Sequence, residues 1–299
     1  MIIIFCCEPL NDKTVDAFYE AEYISAKSLG FQVSLISLEE LLLNNVSKAL
    51  RRVPSAEEME MAIYRGWMIK PQYYELLYKG LLAKNIKLIN STEEYLRCHY
   101  FPNSYEHIKH ITPRSIWLDI ETMNTKELDD VLDQFGESSL LVKDYVKSRK
   151  HEWEEACFIP SAANKTQAVR VINNFIEKQG DELNGGIVLR EFVHLEKITS
   201  HPKSGMPLST EYRLFFLNNR LVHRFEYWDE VMYDAEDKVN IDEFLEVAKQ
   251  IRSNFFTIDI AKTEAGEWIV IEVGDGQVSG LPEKVSVEEF YKSIKGLIS

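Results

Sequence analysis

Two short runs near the C-terminal end constrain the fold of this chain most, because both alternate side-chain type with the two-residue period of a β-strand. In the first, Phe256, Ile258 and Ile260 alternate with Thr257, Asp259 and Ala261; in the second, Ile269, Ile271 and Val273 alternate with Val270, Glu272 and Gly274. The aliphatic set predicts a core face and leaves Asp259 and Glu272 on the other. A two-residue turn at Ala265-Gly266 sets the two carboxylates directly across from each other, whereas a three-residue turn shifts the register. Facing carboxylates repel unless a cation lies between them, and Mg²⁺ held by one or two carboxylates plus phosphates is the usual arrangement. The alternative is an acidic patch in water.

A second hairpin is expected at 211–227. Tyr212, Leu214 and Phe216 share one face, and Glu211, Arg213, Phe215 and Leu217 the other. A two-residue turn at Asn218-Asn219 places Arg213 opposite Arg224 and Glu211 opposite Glu226, and adds Leu221, His223 and Phe225 to the apolar face. Like charges directly opposite destabilise a sheet, so an anion held by both arginines would offset the cost. A solvated face with diagonal Glu–Arg pairs competes with that reading. Upstream, Lys143, Tyr145 and Lys147 share a face of a strand expected at 140–146, and lysine suits phosphate oxygens. The run 186–193 reads as a strand leaving the core, with Phe192 and Val193 as apolar walls and backbone free to pair with a purine edge.

The rest of the chain alternates strand and helix signals up to a boundary at Ile111-Thr112-Pro113. Strands at 2–6, 31–37, 62–67 and 87–90, with helices at 14–29 (closed by Gly30), 38–43 and 71–84, predict a small parallel α/β domain over 1–112. Beyond it come strands at 115–118 and 140–146, helices at 125–135, 165–178, 241–251 and 287–297, and the two hairpins, so 113–299 reads as a largely antiparallel α+β domain. Tyr64-Arg-Gly-Trp67 puts Arg65 at a strand end, placed either to grip a substrate carboxylate or to make an interdomain salt bridge. Met59, Met61, Trp67 and Met68 read as core.

A net charge of −14 argues against general nucleic-acid binding. No apolar run reaches the ~20 residues of a membrane helix, and Met1–Cys7 reads as a buried strand rather than a signal peptide. Cys6, Cys7, Cys98 and Cys157 suit free thiols in a reducing cytoplasm. Cys98, His99, His107 and His110 match no zinc spacing, and the histidines read as surface residues on short helices.

Taken in order, the lysine strand, the Glu191-Phe192-Val193 hinge, the Glu211-Tyr212-Arg213 strand, and the Asp259 and Glu272 strands resemble the ATP-grasp superfamily over about 113–299. The nearest resemblance is to the clade named for one arginine and two lysines. It implies an ATP-grasp fold preceded by a small α/β domain, with ATP and Mg²⁺ as cofactors. It also implies a ligase that activates a small-molecule or peptide carboxylate as an acyl phosphate and joins it to an amine. Carried over by position, Lys143 and Lys147 would contact phosphates or adenine. Glu191 and Val193 would meet the adenine, and Glu196, ahead of His194, the ribose. Asp259 and Glu272 would hold Mg²⁺, and Arg213 would stabilise the transferring phosphoryl group. Many ATP-grasp enzymes carry asparagine two residues after the metal glutamate; here Gly274 stands there, and Asp275 or a water would substitute. Stretches 194–210, with Pro202, Gly205 and Pro207, and 148–155 are candidate lids. The competing readings are a nucleotidyl ligase working through a lysine–AMP adduct, although Lys143 lacks the Lys-x-Asp-Gly context, and a non-catalytic nucleotide-binding module.

Overall fold

The N-terminal strand β1 (Ile2–Glu8) is buried along almost its whole length, as expected of a strand covered on both faces. It folds back through Pro9-Leu10 into a short antiparallel β2 (Asn11–Val15). The helix expected from residue 14 therefore begins later, as α1 (Glu20–Ser28). The side chain of Asp16 accepts the Phe18 N–H and starts the helical path there, after a strand that uses Thr14 and Val15. Gly30, at φ +83°, closes it. Then come β3 (Gln32–Ile36), α2 (Leu38–Leu42), α3 (Val46–Ala49), β4 (Glu60–Arg65), α4 (Pro71–Leu82) and β5 (Ile86–Leu88). Strand order β3-β1-β4-β5 is parallel throughout, as the βαβ rhythm predicts. Met59, Trp67 and Met68 lie outside the core, 56%, 38% and 43% exposed. The apolar side chains that do fill it come from β1, β4 and the inner faces of the helices. This computed structural model describes residues 1–200, 207–229, 231, 233 and 239–298.

Helices α5 (Thr92–His99) and α6 (Phe101–Ile108) lead to a second sheet. It contains β6 (Ser115–Asp119), β7 (Leu140–Asp144), β8 (Phe158–Ile159) and β9 (Gly186–Glu191), ordered β6-β9-β7-β8 and antiparallel. Helices α7 (Thr125–Phe135) and α9 (Lys165–Gln179), with the short α8 (Trp153–Ala156) between, cover one face through Leu132, Phe135, Val171 and Phe175. Lys143 and Val188, paired across β7 and β9, lie on the other face. Two short strands follow, β10 (Lys197–Ser200) and β11 (Pro207–Ser209).

The third sheet is ordered β13-β12-β14-β15, from β12 (Glu211–Leu217), β13 (Arg220–Glu226), β14 (Phe255–Lys262) and β15 (Trp268–Asp275), again antiparallel. Helix α10 (Ile241–Gln250) packs with Tyr212, Leu214, Phe216, Ile258 and Ile260 on one face. The other face carries Phe215, Leu217, Val222 and Phe225 into a core shared with β1 and the C-terminal α11 (Val287–Ile298). The expected α+β class is what the chain adopts. Among the described residues, no helix is long and apolar enough to cross a membrane.

Where the first sheet meets the third, a buried polar knot replaces apolar packing. Asn90 donates to Asp275 Oδ2 at 2.6 Å and to the Phe255 carbonyl at 2.7 Å, while its own oxygen accepts the Asn254 and Phe255 N–H groups. Gln277 donates to Tyr74 and to Asp275, and accepts the Tyr64 N–H. Burial pushes the Asp275 carboxyl from its ordinary 3.8 up to about 7, against the bonds from Asn90 and Gln277 that hold it down. The folded chain therefore binds this proton more tightly than the unfolded one. The associated stability is fully present below the unfolded pKa and is lost as pH rises through the folded value. Melting of the wild type should thus lose stability between about pH 4 and 7, and Asp275→Asn should flatten that part of the profile. An unchanged profile in the variant would mean that Asp275 is ionised in the folded chain throughout.

Candidate active site

The site lies where the second sheet meets the third. Cross-strand pairing puts Arg213 beside Asp259 and Asp259 beside Glu272, so three charges form one row over β12, β14 and β15. Asp259 does face Glu272, but by another route than a two-residue turn. The loop is longer, with Lys262 paired to Trp268, which would leave the register one residue off; a bulge at Ile271 restores it. The same bulge moves Val270, not Ile269 or Ile271, into the core.

Arg213 grips Asp259 with a two-point fork, Nε to Oδ1 at 2.8 Å and Nη2 to Oδ2 at 2.7 Å. Its Nη1 donates to the Gly280 carbonyl at 3.1 Å, and the guanidinium sits 4.9 Å from the Tyr227 ring centre. Burial disfavours the charge on Arg213, and Asp259 more than reverses this, so its affinity for the proton is raised. From the second sheet, Lys143 Nζ reaches Glu272 Oε1 at 2.7 Å. Burial pushes the Glu272 carboxyl up, but Lys143, with Lys150 and Arg213 behind it, carries the net shift down. Asp259 and Glu272 suit a hard cation, with β-carbons about 5 Å apart. No group of three or more His, Cys, Asp or Glu gathers among the described residues. Mg²⁺ fits such a sparse set because phosphates and waters fill its other positions.

The other expected donors are excluded by packing. A β-carbon on Gly274 would sit 2.7 Å from Thr257 Oγ1 and 3.0 Å from Ser279 Oγ, so the asparagine common at this position has no room. Asp275 pairs with Phe256, on the face opposite Glu272, and is tied to Asn90 and Gln277; it cannot join the carboxylate pair.

Arg224 does not face Arg213. The turn at Asn218-Asn219 forms as expected, with both residues at positive φ, but a bulge at Val222 pairs Arg213 with Phe225 and Leu214 with Arg224. Arg224 is exposed, 4.8 Å from the Tyr212 ring centre, on the side away from the charged row. Arg65 is not free to grip a substrate. It is 1% exposed; its fork holds Glu22 through two bonds of 2.8 Å, and Nη1 donates to the Gly276 and Ser279 carbonyls. It takes neither expected role as stated: the ion pair with Glu22 joins two residues of 1–112, and only the bonds to the Gly276 and Ser279 carbonyls reach the C-terminal part of the chain. His99 is buried against Tyr95 rather than at the surface, and burial lowers its pKa to about 4.

The remaining expected residues are spread along the cleft. Strand β7 ends at Asp144, whose carboxylate accepts the Val146 and Lys147 N–H groups and turns the chain. Tyr145 and Lys147 therefore lie in a loop and not on a shared strand face, and Lys147 is half-exposed, 3.9 Å from Glu182. At the end of β9, Glu191 accepts a bond from Ser138, and just past it Phe192 packs on Trp153, Phe158 and His194 beside the half-buried Val193. Glu196 pairs with Lys262 at 3.0 Å and with Thr210 at 2.9 Å. Of the candidate lids, 148–155 carries Arg149 forked onto Glu152. Pro202 and Gly205 of the other lie outside the described residues, while Pro207 begins β11.

Three further charged groups bear on the site: Glu211, which alternation does put on the charged face of its strand, and Lys150 and Arg190, which the sequence patterns did not single out. Glu211, 4% exposed, takes bonds from Ser209 and Trp228, and burial raises its pKa. The field of Lys150 acts on both Glu211 and Glu272. Arg190 is buried between the sheets. A charge closing the aliphatic run Ile187-Val188-Leu189, just ahead of Glu191, was the available signal for Arg190; nothing in the local pattern marks Lys150.

The model of the ATP-grasp domain of the arginine-and-two-lysines clade, family 3, matches residues 132–294. No curated protein matches. Among solved structures, D-cycloserine synthetase DcsG is similar over 100% of both chains, at 10% identity and a TM-score of 0.62. The D-alanine-D-alanine ligase from Coxiella burnetii is similar over 98% of this chain and 90% of its own, at 12% identity and a TM-score of 0.60. ATP-grasp ligase PsnB, complexed with a minimal precursor, Mg and ADP, is similar over 99% and 97%, at 8% identity and a TM-score of 0.56. At such identities the likeness is one of fold.

Proposed function

The chain belongs to the ATP-grasp family, in family 3 of the arginine-and-two-lysines clade, and from that premise we propose that it is an ATP-dependent carboxylate–amine ligase working through an acyl phosphate. The observation that carries the reading is the charged row Arg213–Asp259–Glu272 with Lys143 brought onto it from the facing sheet. In this reading the cleft holds ATP, with the adenine against Glu191, Phe192 and Val193, the ribose near Glu196, and the phosphates toward Lys143 and Lys147. Asp259 and Glu272 hold Mg²⁺, which supplies charge neutralisation on the phosphates when bound. The carboxylate oxygen of the acid forms a bond to the γ-phosphorus as the bond to ADP breaks. Arg213 and Lys143 stabilise the charge spread over the transferring group. The amine then attacks the acyl carbon, phosphate departs with its bonding electron pair, and the amine loses a proton.

Among the similar folds, PsnB is described with a precursor peptide and another is a D-alanine-D-alanine ligase, so the acid and amine are sought among peptides and small amino acids. A lysine–AMP route is the weaker reading, because Lys143 is held by Glu272 in an ion pair that would have to break before it could attack.

Melting with and without Mg-ATP, for wild type and Asp259→Asn, tests the reading. A ligand bound only by the folded chain at 100 times its Kd adds about 2.7 kcal/mol. The wild type should show that upward shift and the variant should lose most of it. No shift in the wild type, with or without a panel of amino acids and peptides, would remove the nucleotide site.

A further inference from the structure

Arg190 is an unusual residue to find where it is. It projects from β9 into the junction of two sheets, 7% exposed, with no carboxylate within ion-pair distance among the described residues. Burial brings its pKa down to about 10, so it stays charged at neutral pH. Its partners are oxygens on or beside the free edge of β15. Nη1 donates to the Ile271 carbonyl at 2.5 Å, and Nη2 to the Val270 carbonyl at 3.0 Å and to Thr112 Oγ1 at 2.7 Å. Thr112 in turn donates to the Val270 carbonyl at 2.8 Å, and the Val270 N–H bonds the Ile111 carbonyl at 2.8 Å. The guanidinium lies 5.4 Å from the Phe101 ring centre, and the Lys143 ammonium 5.5 Å from the same ring.

These contacts converge on one irregularity. Register in β14–β15 runs Ala261–Ile269 and Ile260–Val270, then skips Ile271 and resumes with Asp259–Glu272. Without the skip, Asp259 would pair with Ile271, and Glu272 would pair with Ile258 on the core face. A one-residue slip sends every following side chain to the opposite face. A bulge leaves its extra residue outside the ladder, so a buried carbonyl there needs a donor from elsewhere. Arg190 supplies it.

We propose that Arg190 is a positioning residue: by capping the Val270 and Ile271 carbonyls it holds the bulge that turns Glu272 toward Asp259, and so sets the affinity of the site for Mg²⁺. Thr112, at the sequence boundary, is the second member of the clamp. The inference rests on the Mg-ATP reading of the carboxylate pair. Arginine suits the task because its two Nη atoms reach two carbonyls and a hydroxyl from separate, rigidly spaced points, whereas a lysine must reach all three from a single nitrogen. Groups that orient metal ligands from behind typically account for 10–100-fold in metal affinity.

The test measures ATP affinity by calorimetry across a Mg²⁺ titration, with the metal-free affinity as internal reference, for wild type, Arg190→Met, Arg190→Lys and Thr112→Val. The Mg²⁺ midpoint should rise at least ~10-fold in Arg190→Met, with metal-free ATP affinity little changed. Arg190→Lys should recover only part of the loss, and Thr112→Val should show a smaller rise in the same direction. Lower melting temperatures with an unmoved Mg²⁺ midpoint would make the clamp purely structural and overturn the proposal. If Arg190→Met does not fold, Thr112→Val decides alone by the same midpoint. A wild type that binds ATP without any Mg²⁺ dependence would overturn the metal reading itself, an outcome visible before any variant is made.

Discussion

Glu272→Gln should leave the fold standing and cut phosphate release under Mg-ATP on the order of a thousandfold, as loss of a preorganised charge-stabilising group does. The expectation of a standing fold comes from exposure. The Glu272 side chain is 37% accessible and its partner Lys143 11%, so the variant leaves the lysine beside a neutral amide at the edge of water rather than alone in the core. The expectation of lost chemistry comes from the scarcity of donors. Gly274 has no room for a further ligand and Asp275 faces away, so nothing nearby compensates. Melting without nucleotide should fall by a few degrees at most, and the Mg²⁺-dependent part of the ATP shift should vanish. The variant also separates two roles, because Glu272 is at once the proposed ligand and the counter-ion of Lys143. If Glu272 only restrained the lysine, Glu272→Gln would keep its Mg²⁺ response and Lys143→Met would be the more damaging change. A Mg²⁺-dependent shift that survives in Glu272→Gln therefore takes Glu272 out of the metal site.

The parts of this site that alternation could reach were legible in the sequence, and the parts that bulges decide were not. Period-two patterning assigned Tyr212, Leu214 and Phe216 to a core face and put Asp259 on the opposite face from Ile258 and Ile260, as the structure has them. The two hairpins then diverge. At 256–273 the expected pairing of Asp259 with Glu272 holds because an unanticipated loop and an unanticipated bulge cancel. At 211–227 the turn is as expected, and a single bulge at Val222 sends Arg224 to the far side. Bulges depend on what caps the extra residue's backbone, and at Ile271 that cap is Arg190, 81 residues away. No local pattern carries such a contact. Arg65 shows the same limit from another side. Its place at a strand end was legible, but its partner Glu22 and the carbonyls of Gly276 and Ser279 come from distant turns of the chain, and only they decide between substrate and structure.

Arg213→Ala should be the most damaging single change in the molecule, in stability and in chemistry together. Asp259 is 6% accessible at its side chain, and both of its oxygens are held by the arginine fork. Removing one partner of a buried pair leaves an uncompensated charge and typically costs about 3–5 kcal/mol. The Gly280 carbonyl loses its donor as well. Removing both partners should cost less than the single changes add up to, so a cycle of Arg213→Ala, Asp259→Ala and the double variant should give a coupling energy of roughly 1–3 kcal/mol. Stability alone cannot assign a catalytic role, and for that Arg213→Lys is the better probe. An ammonium keeps the charge beside Asp259 but loses the fork. Of the five guanidinium N–H groups, three are engaged by Asp259 and Gly280, which leaves two to meet a phosphoryl oxygen as it transfers. Arg213→Lys should therefore fold and bind Mg-ATP close to normally while turnover falls steeply, the pattern of a group that acts in the transition state. The reverse pattern, weak nucleotide binding with a preserved maximal rate, would make Arg213 a ground-state binder and move the burden of phosphoryl transfer onto Lys143.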